Sequence, residues 1–391
     1  MVGRHSAAAK PAALAALFML AATAAECFVL LPGGAGARER ARPARYARAA
    51  AVGGSESGPG PPQLFIFGVG YTGLAVARAA RQRWGQACRI AGTCRTQYKA
   101  DALQQVGIEA FPFDLDGEYQ PLSGRALETL QQSTHVLSTM PPIADFNRDP
   151  VLEFHRADLS GECRALQWAG YLSTTSVYGD HQGAWVSEES ETRVATADPS
   201  HFRLAAEAAW LGLSPRVGVS VFRLAGIYGP GRSALDTVRK QAVVRRGAAS
   251  SARAGQAGRG VGAVGGGKYI SRVHVDDIAQ TVLAAMERAV PPGRIYNVAD
   301  DEPCPRDEVH QFARQLLGLP PADEPAATAS GEFLPGSREL GGGGRGSVRT
   351  RRTDNKRVSN RRMVAELGVT LKYPTYRQGL RSLHRLETAA D

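Results

Sequence analysis

The decapeptide Leu64-Phe-Ile-Phe-Gly-Val-Gly-Tyr-Thr-Gly73 limits what this chain can fold into more than any other stretch. Leu64 to Phe67 has the length and apolar character of a short buried strand. Gly68, Gly70 and Gly73 follow in GxGxxG spacing, and Leu74, Ala77, Ala80 and Trp84 then recur at helical spacing. Strand, tight glycine turn and helix in that order make a βα corner. The first glycine permits the turn, the second lets backbone approach a pyrophosphate, and the third lets the helix pack close on the strand. The helix N-terminus then faces the phosphates. Glycine is abundant here, 44 of 391 residues, so the spacing alone says little; the flanking strand and helix strengthen it. The corner reads as a dinucleotide site with Gly68, Gly70, Tyr71, Thr72 and Gly73 at the cofactor. The alternative is a glycine-rich corner without a ligand.

Arg89 to Arg95 reads as a second strand. A fold of this type that prefers NAD carries an acid at the end of that strand, for the ribose 2′-hydroxyl. Here Thr93 and Arg95 stand instead, and a cation suits a 2′-phosphate. The expectation is NADP(H), with NAD left open; the alternative is that Arg95 starts a solvated helix. Gly107 to Leu115 is expected as the third strand, with Asp114 accepting from the adenine amino group and Leu115 offering a backbone amide. Asp114 serves equally as a strand-end turn residue. His135 to Pro142 makes a fourth strand and its loop, with Ser138 along the cofactor, and Trp168 to Gly179 a fifth. Apolar strands alternating with helical stretches point to a doubly wound parallel sheet of α/β class.

The fifth strand, Tyr171-Leu-Ser-Thr-Thr-Ser-Val-Tyr-Gly-Asp180, resembles the "SS…VYG" segment of extended short-chain dehydrogenases/reductases, the NAD(P)-dependent epimerase/dehydratase-like family. Phe222 to Arg232, Arg272 to Ala279 and Tyr296 to Asp300 are similar, in order, to that family's "YGPG", "HVxD" and "YN" segments. Lys356 to Arg362 and Leu371 to Gly379 resemble the closing segment of its atypical members. The resemblance implies an NAD(P)-binding Rossmann core over 63–225, with strands returning from the C-terminal half. It also implies a smaller α+β substrate lobe within 226–391.

The chain departs from the family at two places. Phe67 stands at the first glycine of the family's GxxGxxG turn. The family's Tyr-x-x-x-Lys pair is absent: aligning Arg203-Leu-Ala-Ala-Glu207 with "KxxxE" puts Arg203 at the lysine and Pro199 at the tyrosine. Arginine keeps a cation on the ribose side but stays protonated. The resemblance places Thr174 at the family's Ser/Thr position, where it would orient substrate. Tyr178 and His201 are the nearest substitutes for a proton donor, although Tyr178 also reads as a packed aromatic and His201 as a solvated first-turn residue. Tyr228, Arg232 and His274 are the candidate substrate residues, with Arg232 for a phosphate or carboxylate. Asp277 followed by Gln280 reads as a capping box opening a helix over 278–290. Asp198 reads as an N-cap with Pro199 as the first helical residue.

The net charge of +10 is concentrated in two segments. Residues 1–62 hold seven basic and three acidic residues, and 337–362 hold nine and two. An apolar run from Ala12, then Cys27-Phe28, then arginines from Arg38 to Arg48 interleaved with alanine, resemble a signal peptide followed by a transit peptide. The expectation is a targeting presequence and linker over 1–62 and a plastid address; secretion or a membrane anchor is the alternative. The mature chain is then expected to carry no membrane segment. Five widely spaced cysteines, without a Cys/His cluster, give no metal site and fit a reduced interior. Residues 247–267 and 331–352 read as glycine-rich insertions. The second is basic but lacks interleaved aromatics, which argues against nucleic acid. A small-molecule substrate and a homodimer are the expected partners. Three functions stand: a reductase or epimerase/dehydratase-like enzyme, a catalytically silent NADP(H) sensor or scaffold, and an RNA-binding relative.

Overall fold

The computed structural model describes residues 61–113, 120–143, 149–195, 198–213, 217–251, 267–288, 291–321 and 354–389. The presequence, Asp114, Leu115, most of 247–267 and all of 331–352 lie outside the described residues.

The expected corner forms. Strand β1 (Gln63–Phe67) runs into the glycine turn and then helix α1 (Tyr71–Trp84). Leu64 to Phe67 are buried almost completely, because β1 is an interior strand of a seven-stranded parallel sheet and both faces are covered. The other strands are β2 (Arg89–Cys94), β3 (Glu109–Pro112), β4 (His135–Ser138), β5 (Trp168–Thr174), β7 (Gly218–Leu224) and β11 (Arg294–Val298). Their spatial order is β11-β7-β5-β4-β1-β2-β3. Two halves wind outward from β1 and β4, so their carboxyl ends bound one crevice at the reversal of strand order. The fold is a Rossmann-type α/β sheet. Strand β11 comes from the C-terminal half and pairs with β7, Tyr296 opposite Phe222.

Helices cover both faces. On one face Val76, Ala77 and Ala80 of α1 share a core with Leu103 of α2 (Gln97–Gln104) and Ile278 and Val282 of α7 (Val275–Glu287). On the other, Leu130 of α3 (Gly124–Gln131), Val151 and Leu152 of α4 (Pro150–Ala157) and Trp210 of α5 (Ser200–Leu211) pack on Phe65, Phe67 and Tyr171. Burial of each large side chain contributes about 1.5–3 kcal/mol. Residues alternate between these two cores along β1, as a two-residue period requires.

The remaining elements gather around a separate, smaller core, a smaller lobe that meets the glycine corner where Tyr71 Oη donates to Pro230 O. It contains the short pair β8 (Gly226–Tyr228) and β10 (Arg272–His274), and the helices α6 (Ala234–Ser251), α8 (Arg306–Leu316) and α10 (Tyr376–Thr388). The lobe has its own core of Tyr228, Leu235, Val238, Phe312, Tyr376 and Leu380. The edge pairs β6 (Trp185–Val186) with β13 (Arg357–Val358), and β9 (Tyr269–Ile270) with β12 (Cys304–Pro305), tie its loops together. Helix α9 (Arg361–Leu367) returns to the sheet.

Several expected boundaries shift. The third strand ends at Pro112, and the fifth ends at Thr174, where a 3-10 turn over Thr175–Tyr178 begins. Helix α6 runs through Gly247 to Ser251 instead of breaking at the glycine-rich stretch. The helix expected over 278–290 starts at Val275, and its N-cap is His274, whose side chain accepts from the Asp276 amide. Asp277 forms no capping box. It is fully buried and accepts from the Lys372 and Tyr373 amides and from Gln280 Nε2, which straps the C-terminal segment to α7. Pro199 precedes the first helical residue, Ser200, whose amide is capped by Asp198 Oδ1 at 2.7 Å.

Candidate functional site

At the head of β1 the backbone turns with Gly68 at φ +85°, a conformation that L side chains rarely adopt. Two threonines from the neighbouring strands hold this residue. Thr93 Oγ1, at the end of β2, accepts from Gly68 N at 2.9 Å. Thr139 Oγ1, just past β4, donates to Gly68 O at 2.6 Å. Val69 N donates to Thr93 O at 2.7 Å. The turn is therefore fixed before any ligand arrives.

Gly70 caps α1 without a side chain, and the first turn of α1 contains no acid. The leading amides of a helix have no intrahelical acceptor, so those of Tyr71, Thr72 and Gly73 carry the helix's partial positive charge. A Cβ on Gly73 would lie 2.7 Å from Gly68 O and 3.2 Å from Ile66 Cγ2, so only glycine lets helix and strand approach this closely. Ser138, paired with Phe67 across the sheet, is fully buried and its Oγ has no partner. A fixed turn, acceptor-free amides and an orphaned hydroxyl fit a dinucleotide's diphosphate.

Arg95 lies exposed one residue past β2. Thr93, expected at the ribose, is only 1% exposed and holds Gly68 instead.

The catalytic candidates separate. Thr174 keeps a half-buried place at the end of β5, with its Oγ1 donating to Ser176 Oγ at 3.0 Å. Tyr178 does not reach the crevice: it is fully buried, donates to Asn297 Oδ1 at 2.7 Å and lies under the Arg223 guanidinium. Burial pushes its pKa up and keeps the phenol protonated, and with its hydroxyl committed to Asn297 it is a packing residue. Arg203 Nη1 donates to Leu172 O at 3.0 Å and Tyr171 Oη at 3.3 Å, which anchors the cation to β5. His201 is half-buried in the first turn of α5 beside Phe202.

The substrate candidates also separate. Tyr228 and Arg232 line a cleft of about 450 Å³ in the smaller lobe. Lys240 of α6 and Arg306 and His310 of α8 line it too. These last three were not evident in the sequence. Their one signal is spacing: Asp236 and Lys240 on α6, and Arg306 and His310 on α8, are each four apart and share a helix face. The cleft therefore favours an anion. Arg272 reaches its wall, where Nη1 donates to the Ile270 and Cys304 carbonyls.

His274 lies below the cleft, not on its surface. It is 2% exposed, its ring packs against Tyr373 and Tyr228, and Nδ1 accepts from the Asp276 amide. Burial lowers its pKa to about 4. Between pH 4 and 6.5 the unfolded chain takes up a proton that the folded chain refuses. Stability therefore falls as the pH drops through that window, by up to about 1.4 kcal/mol per pH unit. Asp277, raised to about 6 by burial, works in the opposite sense. His274→Asn keeps a capping side chain and should lose less stability than the native chain between pH 7 and 4.5. Urea midpoints of both proteins across that range check this.

Among the described residues, no group of three or more His, Cys, Asp or Glu could hold a metal ion. No described helix is long and apolar enough to cross a membrane. Cys88, Cys94, Cys163 and Cys304 are free and buried.

Comparison with known proteins agrees with this architecture. Residues 143–299 match the NAD dependent epimerase/dehydratase family. Protein YeeZ of Escherichia coli (strain K12) is 25% identical over 289 residues, covering 71% of this chain and 94% of YeeZ. A functionally unknown conserved protein from Silicibacter pomeroyi DSS is 34% identical, with a TM-score of 0.60 over 83% of this chain and 98% of its own. dTDP-glucose 4,6-dehydratase from Bacillus anthracis str. Ames, solved with NAD, shares the fold at 15% identity, with a TM-score of 0.59 over 84% and 97%. With the glycine corner, the returning strand and the separate smaller core in place, the chain belongs to the NAD-dependent epimerase/dehydratase family.

Proposed function

We propose that this chain is an NADP(H)-dependent oxidoreductase of epimerase/dehydratase type, acting on an anionic small molecule, with nucleotide-sugars the first class to test. The observation that carries the reading is the prearranged corner at Gly68, Gly70 and Gly73, opening beside a basic cleft. The amides of Tyr71, Thr72 and Gly73 would hold the diphosphate, Arg95 the 2′-phosphate, and Ser138 Oγ would gain an acceptor along the cofactor. Arg203 keeps a cation on the ribose side of α5. The bound dinucleotide would supply the hydride chemistry. Lys240 and Arg306 would neutralise the substrate's charge, His310, kept neutral by burial, would hydrogen-bond to it, and Thr174 would orient its reacting oxygen. Residues 1–62 support delivery to a plastid.

A second reading is a catalytically silent NADP(H) sensor or scaffold. The observation that favours it is the lack of a proton donor at the expected place: Pro199 stands where the resemblance puts tyrosine, and Tyr178 is sealed in the core. Turnover of NADPH or NADP⁺ across nucleotide-sugars and small carbonyl compounds separates the two.

Arg95→Asp tests the cofactor preference. It should raise the Kd for NADPH at least about tenfold, a loss of about 1.4 kcal/mol, while leaving NADH within about threefold. Nicotinamide fluorescence titration measures both. An unchanged NADPH affinity would remove Arg95 from the site.

A further inference from the structure

We propose that Arg232 reaches across from the smaller lobe to bind the cofactor's diphosphate, and that Tyr71 positions it. The proposal rests on the reading that a dinucleotide occupies the glycine corner. It assigns to Arg232 a ligand other than substrate, and makes the smaller lobe part of the cofactor site.

The two lobes touch at this point. Tyr71 is the first residue of α1, and its Oη donates to Pro230 O at 3.2 Å, joining residues 159 apart in sequence. The approach is so close that a Cβ on Gly229 would lie 2.5 Å from Tyr71 Oη and 2.8 Å from Val275 Cγ1. Gly229 and Arg232 exchange backbone hydrogen bonds in both directions, at 3.1 and 3.0 Å, which closes the turn and fixes where Arg232 leaves it. From there the guanidinium lies over the Tyr71 ring, its Cζ 5.7 Å from the centroid. Tyr71 therefore carries one of the acceptor-free amides on its backbone and the cation against its ring. Burial raises its pKa to about 12, so the hydroxyl stays protonated and keeps donating to Pro230.

The charge balance leaves Arg232 available. Among the described residues it is in no ion pair, and it is exposed. The two acids closest to Tyr71 in electrostatic effect, Asp276 and Asp236, are both occupied. Asp276 pairs with Lys372 at 2.8 Å, and Asp236 accepts from Ser233 N and Oγ. A diphosphate brings about two negative charges, whereas a helix end offers roughly half a charge. A guanidinium supplies a full charge and can bind two phosphate oxygens at once. Because the same side chain lines the basic cleft, binding of the diphosphate would also hold the smaller lobe against the core.

The test uses the purified full chain, with NADPH read by fluorescence and ADP-ribose and adenosine 2′-monophosphate read by displacement of NADPH. ADP-ribose keeps the diphosphate; the monophosphate lacks it. Arg232→Gln should weaken NADPH and ADP-ribose by about tenfold each and leave the monophosphate within about twofold. Arg232→Lys should recover part of the loss, and Tyr71→Phe, which keeps the ring but frees Pro230, should lose about threefold. If the native chain binds NADPH and Arg232→Gln binds it and ADP-ribose equally well, the proposal is overturned. It is also overturned if all three ligands weaken alike, since that reports a structural role. A native chain that binds no dinucleotide is a separate result, which removes the reading on which the proposal stands.

Discussion

Gly73→Ala is expected to abolish dinucleotide binding, raising the Kd for NADPH at least about 100-fold, and to cost about 1–3 kcal/mol of stability. The new methyl would lie 2.7 Å from the Gly68 carbonyl oxygen. That oxygen cannot move aside cheaply. It accepts from Thr139 Oγ1 at 2.6 Å, and the amide of the same residue is held by Thr93 Oγ1 at 2.9 Å. Either the helix moves off the strand, which misdirects its leading amides, or the turn breaks from both threonines. Gly161→Ala is the control, because a Cβ there meets nothing within 4 Å. It should leave binding unchanged and stability within about 0.5 kcal/mol. Thermal melts and NADPH titrations of both variants decide the matter. A Gly73→Ala protein that binds normally would show that the corner has room to spare.

The largest stability loss is expected at Glu207. Its carboxylate is buried between α5 and β7, where it takes Nε and Nη2 of Arg223 at 3.1 and 2.7 Å and Ser173 Oγ at 2.5 Å. The two side chains are 4% and 6% exposed. Glu207→Ala would leave a guanidinium uncompensated against the Tyr178 ring, at a cost of about 3–5 kcal/mol. Replacing both partners should cost far less, because two neutral groups need no counter-charge. A double variant, Glu207→Gln with Arg223→Met, should therefore be more stable than Glu207→Ala alone. Chemical denaturation of the three proteins measures the difference. A single-variant loss under about 1 kcal/mol would mean that water reaches the pair.

The sequence made the sheet legible because its strands are buried on both faces and show as short apolar runs between helical periods. The glycine corner was legible for a different reason. The backbone conformation at Gly68 and the close approach at Gly73 each demand glycine, so the requirement is written at fixed positions. Side chains whose partners are distant in sequence were not legible. Thr93 looked like a ribose contact because its position fits one; the partner that claims its hydroxyl, the Gly68 amide, is 25 residues away. Tyr178 sits in a motif that suggests chemistry, yet Asn297 and Arg223 draw it inward. Asp277 and Gln280 have capping-box spacing, but the helix begins earlier and the carboxylate holds a strap nearly a hundred residues on. The basic cleft was missed for the same reason, since Lys240, Arg306 and His310 come from two helices that meet only in the folded lobe.

All of the functional reading depends on a diphosphate resting on the N-terminus of α1. The most direct test is an equilibrium titration of NADPH into the folded protein, followed by nicotinamide fluorescence. The account predicts saturable binding at one site per chain, with a Kd on the order of 10 µM or tighter, displaced by ADP-ribose. A protein that melts cooperatively yet takes up neither NADPH nor NADH would contradict it.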